Sequence, residues 1–121
     1  NDRIKEITLL LKDLIPMNIS VQTLTEPVLK NIRRENISLD KFRDAVNWAH
    51  KNNINVTTET IFGLPGETYD TYMDVINKFM ELRLDSVTIE TLMMLKETEI
   101  NRPETINKYE INKINRIGEF D

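Results

Sequence analysis

Ile54-Asn55-Val56-Thr57-Thr58-Glu59-Thr60-Ile61-Phe62-Gly63-Leu64-Pro65-Gly66-Glu67-Thr68 is the stretch whose reading decides the fold. Its first nine residues carry the β-branched and aromatic side chains of a strand. Gly63-Leu64-Pro65-Gly66 breaks it, and Thr68 or Asp70 can cap a following helix with Tyr72, Val75, Ile76, Phe79 and Met80 inward. Glu67 is expected to interact with the start of that helix. Working outward, Ile4, Ile7, Leu10, Leu11 and Leu14 recur at helical spacing and stop at Pro16. Asn18 to Leu24 reads as a strand with Ile19, Val21 and Thr23 on one face. Thr25-Glu26-Pro27 opens a short helix, with a capping hydroxyl and a proline where no amide bond is lost. Ser38 caps a longer helix striped by Leu39, Phe42, Val46 and Ala49 and ending at Asn52-Asn53. Ser86 to Leu92 is a third strand, and a further helix is expected around Ile106 to Ile117.

Strands alternating with helices of this length predict an α/β fold with a parallel sheet. Parallel strands covered on both faces read as continuous apolar runs, and these three do not. Asn18, Ser20 and Gln22 line one face of the first strand; Asn55, Thr57 and Glu59 that of the second; Thr88 and Glu90 that of the third. A polar face on a parallel sheet fits a barrel interior that holds a polar ligand. The plain alternative is a half-covered sheet whose bare face is wet.

Composition excludes several function classes. The 121 residues hold 16 Lys and Arg against 20 Asp and Glu, a net charge of −4, which argues against a track for nucleic-acid phosphates. No apolar run approaches the roughly 20 residues that span a bilayer. With no cysteine, the chain has no disulfide, no thiolate-held iron–sulfur cluster, no zinc finger and no Cys nucleophile; its one histidine, His50, leaves no His-based metal cage. The start at Asn1 and the abundance of Ile, Asn, Lys and Glu read as a segment of a larger cytoplasmic protein from an AT-rich genome.

Val21-Gln22-Thr23-Leu24, then Val28-Leu29, then Ile32-Arg33-Arg34, the Ile61 to Thr68 turn, Leu92 to Leu95 and Lys96-Glu97-Thr98 follow one another in an order that resembles the C-terminal half of a radical S-adenosylmethionine (SAM) barrel. The resemblance covers roughly Asn18 to Ile100. It is nearest to radical SAM proteins with a cobalamin-binding domain, a group that includes the anaerobic magnesium-protoporphyrin IX monomethyl ester cyclases. It implies a partial parallel (β/α) barrel that supplies strands four to six of six. It also implies a SAM site. Gln22 would hydrogen-bond the ribose or methionyl part, and Arg34 would pair with the methionyl carboxylate, a task suited to a two-pronged guanidinium. Glu59 would accept the ribose hydroxyls, and Ile61 with Gly63 would lie against adenine. Independently of any family, the two-residue alternation puts Gln22, Glu59 and Ile61 on the polar inner face.

Plainer roles stand beside these. Arg33 and Arg34 could complement the negative end of the short helix. Glu90 reads as solvated, His50 and Trp48 as helix-end and core residues, Met93 and Met94 as packing. The family's Cys-x-x-x-Cys-x-x-Cys triplet, its first three strands and the acidic motif for the methionyl amine are absent here. Glu97 replaces the glycine usual before Thr98, leaving the shape of that loop open.

The expectation is therefore residues 1–100 as the barrel part and 101–121 as a polar tail, helical in part. The parent would be a radical SAM enzyme, an oxidoreductase, cyclase or methyltransferase, in which a reduced cluster cleaves SAM to a 5′-deoxyadenosyl radical. Its [4Fe–4S] cluster, and cobalamin if used, would be bound outside this chain, which alone would be inactive. Expected partners are the rest of the barrel and a small-molecule substrate, with neither membrane nor nucleic acid. Two alternatives stay open: half of a barrel enzyme that never used a cluster, and a non-catalytic interaction module that dimerises through open sheet edges.

Overall fold

The structure, a computed structural model, describes residues 1–113. The chain divides into two compact units, Asn1–Thr91 and a second from Leu92 onward. In the first, α1 (Asp2–Leu11), β1 (Met17–Asn18), α2 (Glu26–Asn31), α3 (Leu39–Lys51), β2 (Val56–Phe62), α4 (Tyr69–Glu81) and β3 (Ser86–Thr91) follow in order. The three strands form one parallel sheet, β1-β2-β3, with Met17 beside Val56 and the β2–β3 ladder running from Thr57–Ser86 to Phe62–Thr91. The fold is thus α/β, an open part of a barrel.

One face of the sheet carries the core. Val21, Phe42, Val46, Ala49, Ile54, Val56, Val75, Phe79 and Leu82 form a single buried cluster between strands and helices. Ser38 caps α3, accepting from Lys41 N–H at 3.3 Å, and the helix ends at Asn52 with Asn53 in the left-handed region. Thr68 caps α4 in a reciprocal box with Thr71. Both helices bury the predicted stripe, except that Ile76 is half-buried and Leu39 and Met80 are exposed. The α1 stripe also forms as a helix but buries nothing: Ile4, Ile7 and Leu10 all face solvent. On β3, Ile89 is exposed as well.

The first strand departs most from expectation. Only Met17–Asn18 pair as a strand, and the chain rejoins β2 through a lone bridge between Gln22 and Thr60. Its burial still alternates as predicted, with Val21 and Thr23 inside and Gln22 between them half-exposed. Side-chain donors reach the carbonyls of this stretch, although the Gln22 carbonyl also keeps its backbone bond from Ile61 N–H. Thr58 and Thr60 hydroxyls donate to the Ile19 and Gln22 carbonyls, each at 2.5 Å, while Arg34 Nη2 donates to the Ser20 carbonyl at 3.1 Å.

The turn after β2 is built on its glycines. Pro65 and Gly66, with φ 87° at Gly66 and Glu67 N–H donating to the Leu64 carbonyl at 3.0 Å, make a type II turn. Asn31 of α2 donates to the Pro65 carbonyl at 2.8 Å and comes so close that a Cβ on Gly66 would lie 2.6 Å from its Nδ2.

The second unit contains a 3-10 turn (Glu99–Asn101) and α5 (Pro103–Lys108). The expected helix near Ile106–Ile117 begins earlier and ends at Lys108; its residues 114–117 lie outside those described. Glu97 adopts φ 65°, the conformation that a glycine would take freely. Among the described residues no helix is long and apolar enough to cross a membrane.

Two predictions follow from these contacts. Gly66→Ala meets both a left-handed φ and the Asn31 amide, and should lower unfolding free energy by about 2 kcal/mol in urea titration. At the start of β2, Asp85 Oδ2 accepts from Val56 N–H and from His50 Nε2, both at 2.8 Å. Those bonds, the backbone one foremost, hold the Asp85 carboxyl below the usual carboxylate range. A lowered folded pKa means that stabilisation is present above the ordinary value, about 3.9, and fades as pH falls through that range toward Asp85's own value. The melting-temperature gap between wild type and Asp85→Asn should therefore be widest near neutrality and narrow in acid, as measured by thermal melts from neutral pH downward.

Candidate functional site

The bare face of the sheet presents Asn18, Thr57, Glu59, Ile61, Thr88 and Glu90, all exposed or half-exposed. It lies opposite the helical layer because the even positions of β2 (Val56, Thr58 and Thr60) turn into the core. Three of the residues singled out by sequence are brought together here by the backbone. Gln22 N–H donates to the Glu59 carbonyl at 3.0 Å, and Ile61 N–H donates to the Gln22 carbonyl at 2.9 Å. Glu59 Oε1 accepts from Asn18 Nδ2 at 3.4 Å and otherwise faces the open side. Gly63, with φ 92°, starts the turn two residues beyond Ile61.

Arg34 is held apart from these three. It follows α2, and its guanidinium reaches back to Ser20, two residues before Gln22. Its Nε is buried with no hydrogen-bond partner among the described residues. Arg34 also lines a groove of about 560 Å³ beside α2, together with Leu24, Leu29, Ile37, Leu39 and Lys78. That groove contains none of Gln22, Glu59 or Ile61.

Beneath the site lies a knot of hydroxyls that sequence reading did not find in full. Glu67 accepts from Thr23 Oγ1 at 2.7 Å, Thr25 Oγ1 at 2.8 Å and Thr71 Oγ1 at 2.5 Å. The bond to Thr71 is the expected one, to the start of the following helix. The other two reach back to the strand-to-α2 junction. They explain why Thr25 stands at the N-cap of α2 without capping it: its hydroxyl is spent on Glu67. Nearby, burial pushes the Tyr72 phenol up, the Thr60 hydroxyl partly offsets this, and the Glu67 charge adds to it. Of its three donors only Thr23 stood at a strand position that alternation turns toward the core, where a hydroxyl must find a partner; Thr25 and Thr71 gave no such signal.

Comparison with known proteins bears on this arrangement. Residues 1–77 match the family described as the radical SAM superfamily. The chain belongs to that superfamily. Two relatives are similar across 94% of its length: the cobalamin-dependent radical SAM methyltransferase TokK of Streptomyces tokunonensis, 31% identical, and the 2-(S-pantetheinyl)-carbapenam-3-carboxylate methyltransferase of Streptantibioticus cattleyicolor, 30% identical. A third, the heme chaperone HemW of Lactococcus lactis, is 31% identical over 68% of the chain. The chain spans only 17%, 17% and 22% of these relatives' lengths. Superfamily membership and cobalamin-type relatives agree with the resemblance read from the motifs.

The hydroxyls that donate to the carbonyls of the first strand give a direct test of how it is held. Thr60→Val keeps the shape of a fully buried side chain but removes the donor to Gln22. It should lower unfolding free energy by about 1 kcal/mol in urea titration.

Proposed function

We propose that this chain forms one wall of the SAM site of a radical SAM enzyme. The observation that carries the reading is the backbone linkage of Gln22, Glu59 and Ile61 on the sheet's open face, in a chain of this family. The residues suit the ligand's parts. The buried Nε of Arg34 has no acceptor among the described residues, and a carboxylate would supply one. Glu59 offers a carboxylate able to accept paired hydroxyls, Gln22 offers donor and acceptor together, and Ile61 with the side-chain-free Gly63 offers an apolar strip for a flat ring. SAM, when bound and reductively cleaved, supplies the radical that attacks substrate. The chain's own part is to orient it: Arg34 fixes one end, Glu59 the ribose, Ile61 and Gly63 the base.

A thiolate-held cluster does not fit this chain, which has no cysteine. The reading therefore places the [4Fe–4S] cluster, and cobalamin if used, on residues beyond it, and leaves the segment alone inactive. His50, the one imidazole, is engaged with Asp85 at the start of β2, away from the candidate site. Methyl transfer is the favoured reaction class, on the two methyltransferase relatives. A cytoplasmic setting, a small-molecule substrate and contact with the rest of the barrel belong to the same proposal.

The test is made on the protein that carries this chain, reconstituted anaerobically with iron and sulfide. A [4Fe–4S] signal, SAM binding, and 5′-deoxyadenosine on adding reductant are expected; no cluster and no cleavage would overturn the proposal. Arg34→Ala should weaken SAM binding by about 3 kcal/mol in calorimetric titration, as when one partner of a buried charged pair is removed. Unchanged affinity would take Arg34 out of the site.

A further inference from the structure

Gln22 occupies a backbone state that its residue type disfavours. Its φ is 56°, and Thr23 N–H donates to the Val21 carbonyl at 2.5 Å, closing a three-residue turn around it. Such a state persists only where its surroundings over-determine it. On the β2 side, both peptide groups of Gln22 are held: its N–H by the Glu59 carbonyl, its carbonyl by Ile61 N–H and the Thr60 hydroxyl. On the other side stands Thr23, fully buried, donating to Glu67 Oε2 at 2.7 Å and accepting from Thr25 N–H at 3.2 Å. Glu67 is itself fixed by Thr25 and Thr71 through its other oxygen. Residue 23 therefore cannot turn without giving up a hydrogen bond to a charged group, and Gln22 cannot relax to an extended state unless residue 23 turns.

We propose that Thr23, through Glu67, is a positioning residue for Gln22: it keeps the left-handed turn that presents the Gln22 amide on the open face. The inference rests on the reading of Gln22 as a SAM contact. It makes the Thr23–Glu67 bond part of ligand recognition, although neither residue faces the ligand side of the sheet.

The test uses the protein that carries this chain, with SAM dissociation constants from calorimetry and amide exchange at Ile61 as a readout that needs no ligand. Thr23→Val removes the hydroxyl at constant shape and should weaken SAM binding about ten-fold, the scale of one hydrogen bond to a charged group. It should also speed exchange of the Ile61 amide, whose acceptor is the Gln22 carbonyl. Thr23→Ser should restore both. Gln22→Ala should weaken binding as well, and adding Thr23→Val to it should bring no further loss, because the clamp then has nothing to position. A full additional loss in the double variant, or unchanged Ile61 exchange in Thr23→Val, would overturn the positioning role while leaving Gln22 in the site. Unchanged affinity in Gln22→Ala would instead overturn the reading of Gln22 and the inference with it.

Discussion

The carboxylate of Glu67 is the junction on which the upper part of the sheet depends. It gathers hydroxyls from Thr23 after β1 and Thr25 at the head of α2, both more than forty residues before it, and from Thr71 in the first turn of α4, four residues after it. Each bond is charge-assisted and so stronger than a neutral one. Asn31 adds a second tie, from α2 to the Pro65 carbonyl. The two fasten the type II turn to α2. The Gly-Leu-Pro-Gly-Glu string is thus one device: glycine permits the turn, proline sets its first corner, and the glutamate anchors it.

Most of the architecture was legible in the sequence because it follows from period and punctuation. The helix caps at Ser38 and Thr68, the end of α3 at Asn52-Asn53 and the parallel α/β plan all correspond to strong local signals. What escaped is tertiary. The first strand reads as seven alternating residues, and its burial does alternate, but only Met17–Asn18 and a lone bridge at Gln22 pair with β2, while Thr58, Thr60 and Arg34 side chains donate to its carbonyls. The α1 stripe has the right spacing to be core, yet spacing does not say what covers it, and among the described contacts Ile4, Ile7 and Leu10 stay exposed. Periodicity reports that a face exists, not that a neighbour does.

The candidate site was legible to the same degree. Alternation alone put Gln22, Glu59 and Ile61 on one face, and the structure links them by backbone hydrogen bonds. Arg34 was assigned by resemblance, and its guanidinium meets the Ser20 backbone rather than any of those three. Alternation turned Thr23 toward the core, but the partners of the supporting hydroxyls were not legible, for a physical reason. An inward hydroxyl must find an acceptor, and only the fold shows that Thr23 finds Glu67 while Thr58 and Thr60 find the Ile19 and Gln22 carbonyls.

The strict alternation along β2 has an evolutionary side. Val56, Thr58 and Thr60 hold the fold, while Thr57, Glu59 and Ile61 contribute little to its interior. Side-chain parity in a strand is rigid: a slip by one residue would carry Glu59 into the helical layer, so register is guarded by its own penalty. The two sets are therefore separately heritable. Mutation can rewrite the odd positions to suit another ligand without disturbing the even ones, and a lineage can explore new chemistry on a scaffold that stays the same.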